Sequence, residues 1–207
     1  MRLLDNNFTD PAENLAMDEV LLDEVEAGRA DDTLRLWESP VPFVVIGVGQ
    51  SLVREVHEAH CREDGVPVLR RCTAGGCVLQ GPGCLNFSLA LAFARHPEMR
   101  DLHASYCYIL GQLSKALALH NIAAKHVGIC DLALDGRLKV SGNAQRRRRR
   151  AMLHHGTLIY RPDFPGMARY LREPEDRPEY RGEREHRDFV GVLELSPETL
   201  RTVIRSA

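Results

Sequence analysis

Residues 86–93 alternate without a break: Phe87, Leu89, Leu91 and Phe93 fall to one side, Asn86, Ser88, Ala90 and Ala92 to the other. Successive side chains point to opposite faces in an extended strand, so this segment commits the chain to a sheet with one strongly apolar face. The sequence offers partners for it. Phe43-Val44-Val45-Ile46-Gly47-Val48 is a continuous apolar run, as in a strand buried on both faces. Residues 34–37, 67–71, 131–134, 140–145 and 152–160 read as further strands, with Gly136 and the arginine run 146–150 as turns.

Helices alternate irregularly with these strands. The first starts at Asp10-Pro11-Ala12-Glu13, where Asp is a good N-cap, Pro suits the first helical position and Glu completes a capping-box pattern; it stops near Gly28. Its apolar residues do not form one stripe, which predicts cover on more than one side. A second helix is expected over 52–64. The clearest spans 101–120, where Leu102, Tyr106, Ile109, Leu110, Leu113 and Leu117 recur at helical spacing. A last one opens at Ser196-Pro197-Glu198, and the charged, proline-rich stretch 162–188 reads as irregular surface. Strands and helices that mix without strict alternation predict an α+β fold, a mixed sheet with helices packed on it.

At 207 residues the chain reads as a single domain, 1–207, large enough to bury a core without disulfides or metals. Its 27 basic and 29 acidic residues leave a net charge of -2, which argues against a globally basic nucleic-acid binder. No apolar run approaches the ~18 residues of a membrane span, and residues 1–10 lack the apolar core of a signal peptide. Six cysteines without a Cys-x-x-Cys pair read as reduced thiols, placing the chain in the cytoplasm.

Four segments carry candidate chemistry. Arg70-Arg71-Cys72-Thr73-Ala74-Gly75-Gly76-Cys77-Val78-Leu79 ends a strand in arginines and a glycine pair. Such a loop is either a structural turn or an anion cradle of backbone N–H groups and a guanidinium fork. Lys139 opens an alternating segment; it is a solvated lysine or, if turned into a pocket, a cation for charge on a carbonyl oxygen. The arginine run is a solvated turn or a docking site for an acidic protein or polyphosphate. His154 and His155 point to opposite faces of a strand and cannot ligate one metal together, so one is expected to face the core or the site and the other solvent.

In this order, the segments resemble the lipoate–protein ligase A family, within the biotin and lipoate protein ligases. Asn14-Leu15-Ala16-Met17-Asp18-Glu19 is similar to the family's first-helix signature, and Arg70-Arg71 through Gly75-Gly76 to its Arg-Arg-x-Ser/Thr-Gly-Gly-Gly loop, continued by Gln80-Gly81-Pro82-Gly83-Cys84-Leu85-Asn86. Lys139-Val140-Ser141-Gly142-Asn143-Ala144-Gln145 resembles the catalytic-lysine motif, and Leu153-His154-His155-Gly156-Thr157-Leu158 the strand after it. The resemblance implies a largely antiparallel sheet of the biotin/lipoate ligase type. It also implies a ligase that uses ATP and Mg²⁺ to convert lipoic acid to lipoyl-adenylate. The acyl group then passes to a lysine of a lipoyl carrier domain, of the 2-oxoacid dehydrogenase E2 or glycine-cleavage H-protein type. Arg71, Gly75, Gly76, Cys77, Val78, Leu79, Asn86, Asp131, Lys139, Ser141, Gly142 and His155 would bind ATP or the adenylate, with Lys139 catalytic and no metal held by the protein alone. Arg147, Arg148 and Arg149 would dock the carrier; neither nucleic acid nor membrane is an expected partner.

The match departs from the family at Ala74, which replaces the first glycine of the triplet and is tolerable if its φ is negative. Leu138 also separates Arg137 from Lys139. The family's C-terminal accessory domain has no counterpart in the 207 residues, so a separate small accessory protein is a possible partner. Two alternatives stay open. One is an ATP-independent octanoyl or lipoyl transferase of the same fold, for which Cys130 is the nearest cysteine, although the transferases place theirs near Ala123. The other is a non-catalytic carrier-binding subunit. Biotin is disfavoured because the Gly-Arg-Gly-Arg-x-Gly-Arg signature is missing.

Overall fold

A computed structural model describes residues 1–207. In chain order its elements are β1 (Arg2–Asp5), α1 (Pro11–Glu26), β2 (Thr33–Trp37), β3 (Phe43–Ile46), α2 (Leu52–Glu55), α3 (Glu58–Glu63), β4 (Val68–Arg70), β5 (Val78–Gln80) and β6 (Cys84–Ala92). There follow α4 (Leu102–Ala118), β7 (Ala124–Val127), β8 (Asp131–Leu134), β9 (Leu138–Arg147), β10 (Ala151–Ile159), α5 (Phe164–Tyr170), α6 (His186–Phe189) and α7 (Pro197–Ser206). Seven strands form one sheet in the order β1-β2-β6-β10-β9-β8-β7, and β4-β3-β5 form a second. Only β1–β2 and β3–β4 are parallel. The fold is α+β with a largely antiparallel sheet, as the sequence predicts.

The alternating strand β6 sits in the middle of the large sheet, and its two faces explain what packs where. Phe87 and Leu91, with Phe93 just beyond, meet Tyr106, Ile109, Leu110, Leu113 and Leu117 of α4 and Leu200, Val203 and Ile204 of α7. Each fully buried leucine of this kind stabilises the fold by about 1.5–3 kcal/mol. On the other face, Ala90 and Ala92 with Ala151 and Leu153 of β10 lie under Leu21, Leu22 and Val25 of α1. Asp10 caps α1 by accepting from Ala12 N at 2.8 Å, and Asp101 caps α4 by accepting from Ala104 N at 2.7 Å. After Pro11, the first half of the buried α1 stripe is polar, Asn14 and Asp18, which is why its apolar pattern is broken.

Several expectations are corrected. The helix expected over 52–64 is two short ones: Val56 is extended and bridges to Leu171, and His57 N donates to Tyr170 O, so a strand-like contact interrupts the helix. Leu102 is exposed because it occupies the first turn of α4, ahead of the first buried position, Ser105. The stretch 162–188 is not irregular surface. It holds α5 and runs into α6, and Met167, Leu171 and Phe189 join Val44, Ile46, Val56 and Leu79 in a second core. Its charges are consumed internally, with Glu173 accepting from Arg181 at 2.6 Å and meeting His186 at 2.7 Å. The arginine run is only half a turn: Arg146 and Arg147 belong to β9. The strands β1, β5 and β7 carry no alternation long enough to be read. No helix is long and apolar enough to cross a membrane.

Candidate active site

The two sheets and the segment 172–190 enclose a cavity of about 400 Å³. Its apolar wall includes Leu15, Trp37, Val45 and Val78, and its polar end includes Arg71, Gly75, Gly76, Asp131 and Lys139. A cavity of this size with a few convergent polar groups suits a small ligand.

The loop after β4 is folded in advance. Arg71 N donates to Ile46 O, and Val48 N to Thr73 O, fastening both sides of the loop to β3 and the residues after it. The Arg71 guanidinium then threads back through the loop: Nε donates to Thr73 Oγ1 at 3.0 Å, Nη2 to Ala74 O at 2.8 Å and to Gly76 O at 2.9 Å. Gly75 adopts φ +98, and a Cβ there would lie 2.9 Å from Arg71 Nη2. Ala74 is not among the residues with positive φ, so it replaces a glycine without strain. Burial pushes the Arg71 pKa down, and the groups acting on it are cysteine thiols and Tyr106 rather than a carboxylate. A half-buried guanidinium with no carboxylate paired to it is a place for a bound anion.

Across the cavity, a register shift between Leu132 and Ala133 bulges β9 and aims Lys139 over Gly142, whose Cβ would lie 2.8 Å from Lys139 Cε. Lys139 Nζ pairs with Asp131 Oδ1 at 2.9 Å, and Tyr180 donates its hydroxyl to Asp131 Oδ2 at 2.7 Å. Cys130 adjoins this group, yet burial pushes its pKa up, followed by the nearby Asp131 charge. A nucleophilic cysteine needs the opposite, a stabilised thiolate. That direction disfavours the transferase alternative, and Cys77 and Cys84, which also line the cavity, are pushed up to about 12 by burial.

His155 stands on the cavity side of β10. Its Nδ1 lies 3.0 Å from Asp18 Oδ2 and its Nε2 2.8 Å from Thr73 Oγ1. Arg71 Nε donates to the same Thr73 Oγ1, so the hydroxyl links the guanidinium to the imidazole. Asp18 in turn accepts from Ser88 Oγ at 2.7 Å and from Arg35 at 3.2 Å, the latter a fully buried ion pair. A polar chain thus runs from β2 through α1 and β10 to the anion loop. Neither histidine faces solvent, contrary to expectation: His154 is fully buried between Phe87 and Tyr106, where desolvation pushes its pKa down to about 3.

The structure brings Arg71, Gly75, Gly76, Cys77, Val78, Leu79, Asn86, Asp131, Lys139, Gly142 and His155 to this one cavity. Ser141 is a correction: it is fully buried away from the lining and accepts from Asn143 Nδ2 at 3.1 Å. Arg147 is a second: its guanidinium stacks on Phe93, donates to Gln145 Oε1 at 2.7 Å and to Met99 O, and so faces inward. Arg148 and Arg149 are exposed. The sequence does not single out Asp18, Tyr180 or Arg181 as site residues, and it gives Thr73 only as part of the loop segment. Asn14 and Asp18, polar and four apart on the buried stripe of a helix, were a signal; Tyr180, within a charged stretch, gave none. The chain has no cluster of three His, Cys, Asp or Glu side chains that could hold a metal.

Residues 10–203 match the family model described as the lipoyl protein ligase A/B catalytic domain. The chain is 29% identical over 167 residues to lipoate–protein ligase 1 of Staphylococcus aureus, covering 81% of this chain and 48% of that protein. It spans about half the length of the curated relatives it matches. A crystal structure of lipoate-protein ligase A bound with ATP superposes with a TM-score of 0.84 at 22% identity, over 98% of this chain and 81% of that one. A bi-partite lipoate protein ligase from Thermoplasma acidophilum, studied with its E2 lipoyl domain, superposes with a TM-score of 0.80 at 21% identity, over 99% and 80%. At these identities the two structures establish the fold alone.

Proposed function

This chain belongs to the lipoyl protein ligase A/B catalytic-domain family, and from that premise we propose that it is the catalytic unit of a lipoate–protein ligase. The observation that carries this reading is the meeting, in one cavity with an apolar wall, of a carboxylate-free Arg71 loop and the ammonium of Lys139. In the proposed reaction a lipoate carboxylate oxygen attacks the α-phosphorus of ATP and pyrophosphate leaves. The amine of a carrier lysine then attacks the acyl carbonyl, an amide forms, and AMP leaves with the bonding pair. The apolar wall takes the acyl chain, the loop amides and Arg71 take phosphate charge, and Lys139 takes charge at the acyl carbonyl and the adjoining phosphate. Gly75, Gly76, Cys77, Val78, Leu79, Asn86, Asp131, Gly142 and His155 complete the site.

In this reading Mg²⁺ enters with the phosphates of the nucleotide. When bound, it neutralises charge on the phosphates. The partner in this reading is a lipoyl carrier domain of E2 or H-protein type, met by the exposed Arg148 and Arg149. Six free thiols support a reducing, cytoplasmic setting.

The test is lipoate-dependent ATP–pyrophosphate exchange with wild type and Lys139→Ala. Exchange in the wild type, lowered about 100-fold or more in the variant, supports the ligase. Exchange that appears only with a second small protein supports a bipartite ligase. ATP-independent acyl transfer from an octanoylated carrier, abolished by Cys130→Ala, contradicts the reading.

A further inference from the structure

Lys139 is the one lysine in a cavity whose other strong cations are guanidiniums: Arg71, Arg172, Arg177 and Arg181. The whole chain has only two more lysines, Lys115 and Lys125, both exposed. An amine beside an activated acyl group is a hazard, and this point rests on the ligase reading. Attack by Lys139 Nζ on the acyl carbonyl would form an amide C–N bond, break the acyl C–O bond to phosphate, release AMP with the bonding pair and shed an amine proton. The product is an enzyme acylated on its own catalytic lysine. Arginine offers the same charge without this reaction, because the guanidinium stays protonated.

The surroundings of Lys139 address the hazard. Its Nζ is held by Asp131 Oδ1 at 2.9 Å, and the carboxylate's other oxygen is held by the Tyr180 hydroxyl at 2.7 Å. Burial and the Asp131 charge push the Tyr180 pKa up, so the phenol stays a hydrogen-bond donor. Tyr180 is itself fixed from several sides. Its ring lies against Gly128, where φ is +62 and a Cβ would stand 3.8 Å from the ring. Its carbonyl accepts from Arg184 Nη2 at 2.6 Å, while Arg184 Nη1 reaches Arg137 O, in the turn before Lys139, at 3.0 Å. Farther along the same segment, Gly191 N donates to Lys139 O at 2.8 Å. The segment bearing Tyr180 is therefore pinned to the strand bearing Lys139.

We propose that Asp131 and Tyr180 form a clamp that holds the Lys139 ammonium in an ion pair and so prevents the enzyme from acylating itself. Tyr180 is a positioning residue in this clamp, acting through Asp131. An ammonium has no lone pair with which to attack. Asp18, Glu55 and Asp176 also line the cavity, but Asp131 is the carboxylate that pairs with Lys139. Without its charge Lys139 would stand unpaired among the guanidiniums of Arg71, Arg172, Arg177 and Arg181, and a lysine beside other cations is the arrangement that activates an amine as a nucleophile.

Peptide mass spectrometry after acylation tests the clamp. Wild type, Tyr180→Phe, Asp131→Asn, Asp131→Glu and the double variant Tyr180→Phe/Asp131→Asn are incubated without carrier in two arms. One arm supplies lipoate and Mg-ATP; the other supplies the succinimidyl ester of octanoate, which needs no ATP. Label on Lys139 is read as a ratio to label on Lys115 and Lys125, in proteins whose melting curves match the wild type. The ratio should rise about twofold in Tyr180→Phe and about tenfold in Asp131→Asn, since losing a charge outweighs losing one neutral hydrogen bond. The double variant should match Asp131→Asn, and Asp131→Glu should stay near wild type, because Tyr180 acts through a charge that glutamate retains. Equal ratios throughout the ester arm, or independent effects of the two substitutions, overturn the clamp. Absence of pyrophosphate exchange in the wild type defeats the ligase reading instead, and the ester arm still decides the clamp.

Discussion

His154 and His155 are neighbours of one chemical type, and the large sheet turns them to opposite faces. His154 enters the face covered by α4, where Gln145 and Asn143 supply its hydrogen bonds and Phe87 and Tyr106 its walls. His155 enters the face covered by α1, where Asp18 and Thr73 connect it to the anion loop. Both are largely withdrawn from water, so burial does not separate a structural histidine from one at a site. What separates them is where their hydrogen bonds lead. The α4 face closes on itself around an apolar cluster. The α1 face carries a polar row, Arg35, Asp18, Ser88 and His155, that ends at Arg71.

That contrast can be broken in several ways, and the largest effect should come from the polar row. Asp18→Ala strands the fully buried Arg35, and urea unfolding should show a loss of about 3–5 kcal/mol, the usual consequence of orphaning a buried charge. A loss below about 1 kcal/mol would mean that Asn14 and Asn6, which also accept from Arg35, hold it unaided. Lys139→Ala should do the reverse: pyrophosphate exchange falls about 100-fold while the melting temperature stays within a few degrees. Unfolding of this variant would make the α1 face a structural one throughout.

On the α4 face the signature is pH. His154 has a folded pKa pushed far below the unfolded value near 6.5, so its stabilising neutral form is fully present above pH 6.5. As pH falls from 6.5 towards 3 the unfolded chain takes up the proton first, and stability should drop on the order of 1 kcal/mol per pH unit from this group. His154→Gln should flatten that slope in urea titrations between pH 6.5 and 4, whereas an unchanged slope would place the acid sensitivity elsewhere. The smallest effect lies outside both faces. Arg148→Glu with Arg149→Glu should raise the carrier KM by roughly threefold to tenfold at low salt, leave the lipoate KM unchanged and lose its effect near 0.5 M salt. A matching change in the lipoate KM would remove these arginines from docking.

The sequence made the α4 face more legible than the cavity. The alternation in residues 86–93 and the stripe from Tyr106 to Leu117 are periodic because one side of each element meets only apolar neighbours. The glycine loop and Lys139 were legible as chemistry and through the family resemblance, although which β9 residues face the cavity was not. The bulge that aims Lys139 reverses the order of sides, so Gly142 lines the cavity while Ser141 does not. Tyr180 and Arg181 were hidden for another reason: their stretch folds by pairing charges around Glu173, and such pairing leaves no period in the sequence. The break at Val56 was equally silent, since it depends on Leu171, more than a hundred residues away.

The central claim is that this cavity joins lipoate to a carrier lysine at the expense of ATP. Its most direct test is the mass of an unmodified lipoyl carrier domain incubated with the protein, lipoate and Mg-ATP. The account predicts one lipoyl group per carrier domain, on a lysine, formed only when ATP is present and lost with Lys139→Ala. Modification that proceeds without ATP from an acylated carrier and is abolished by Cys130→Ala would contradict it.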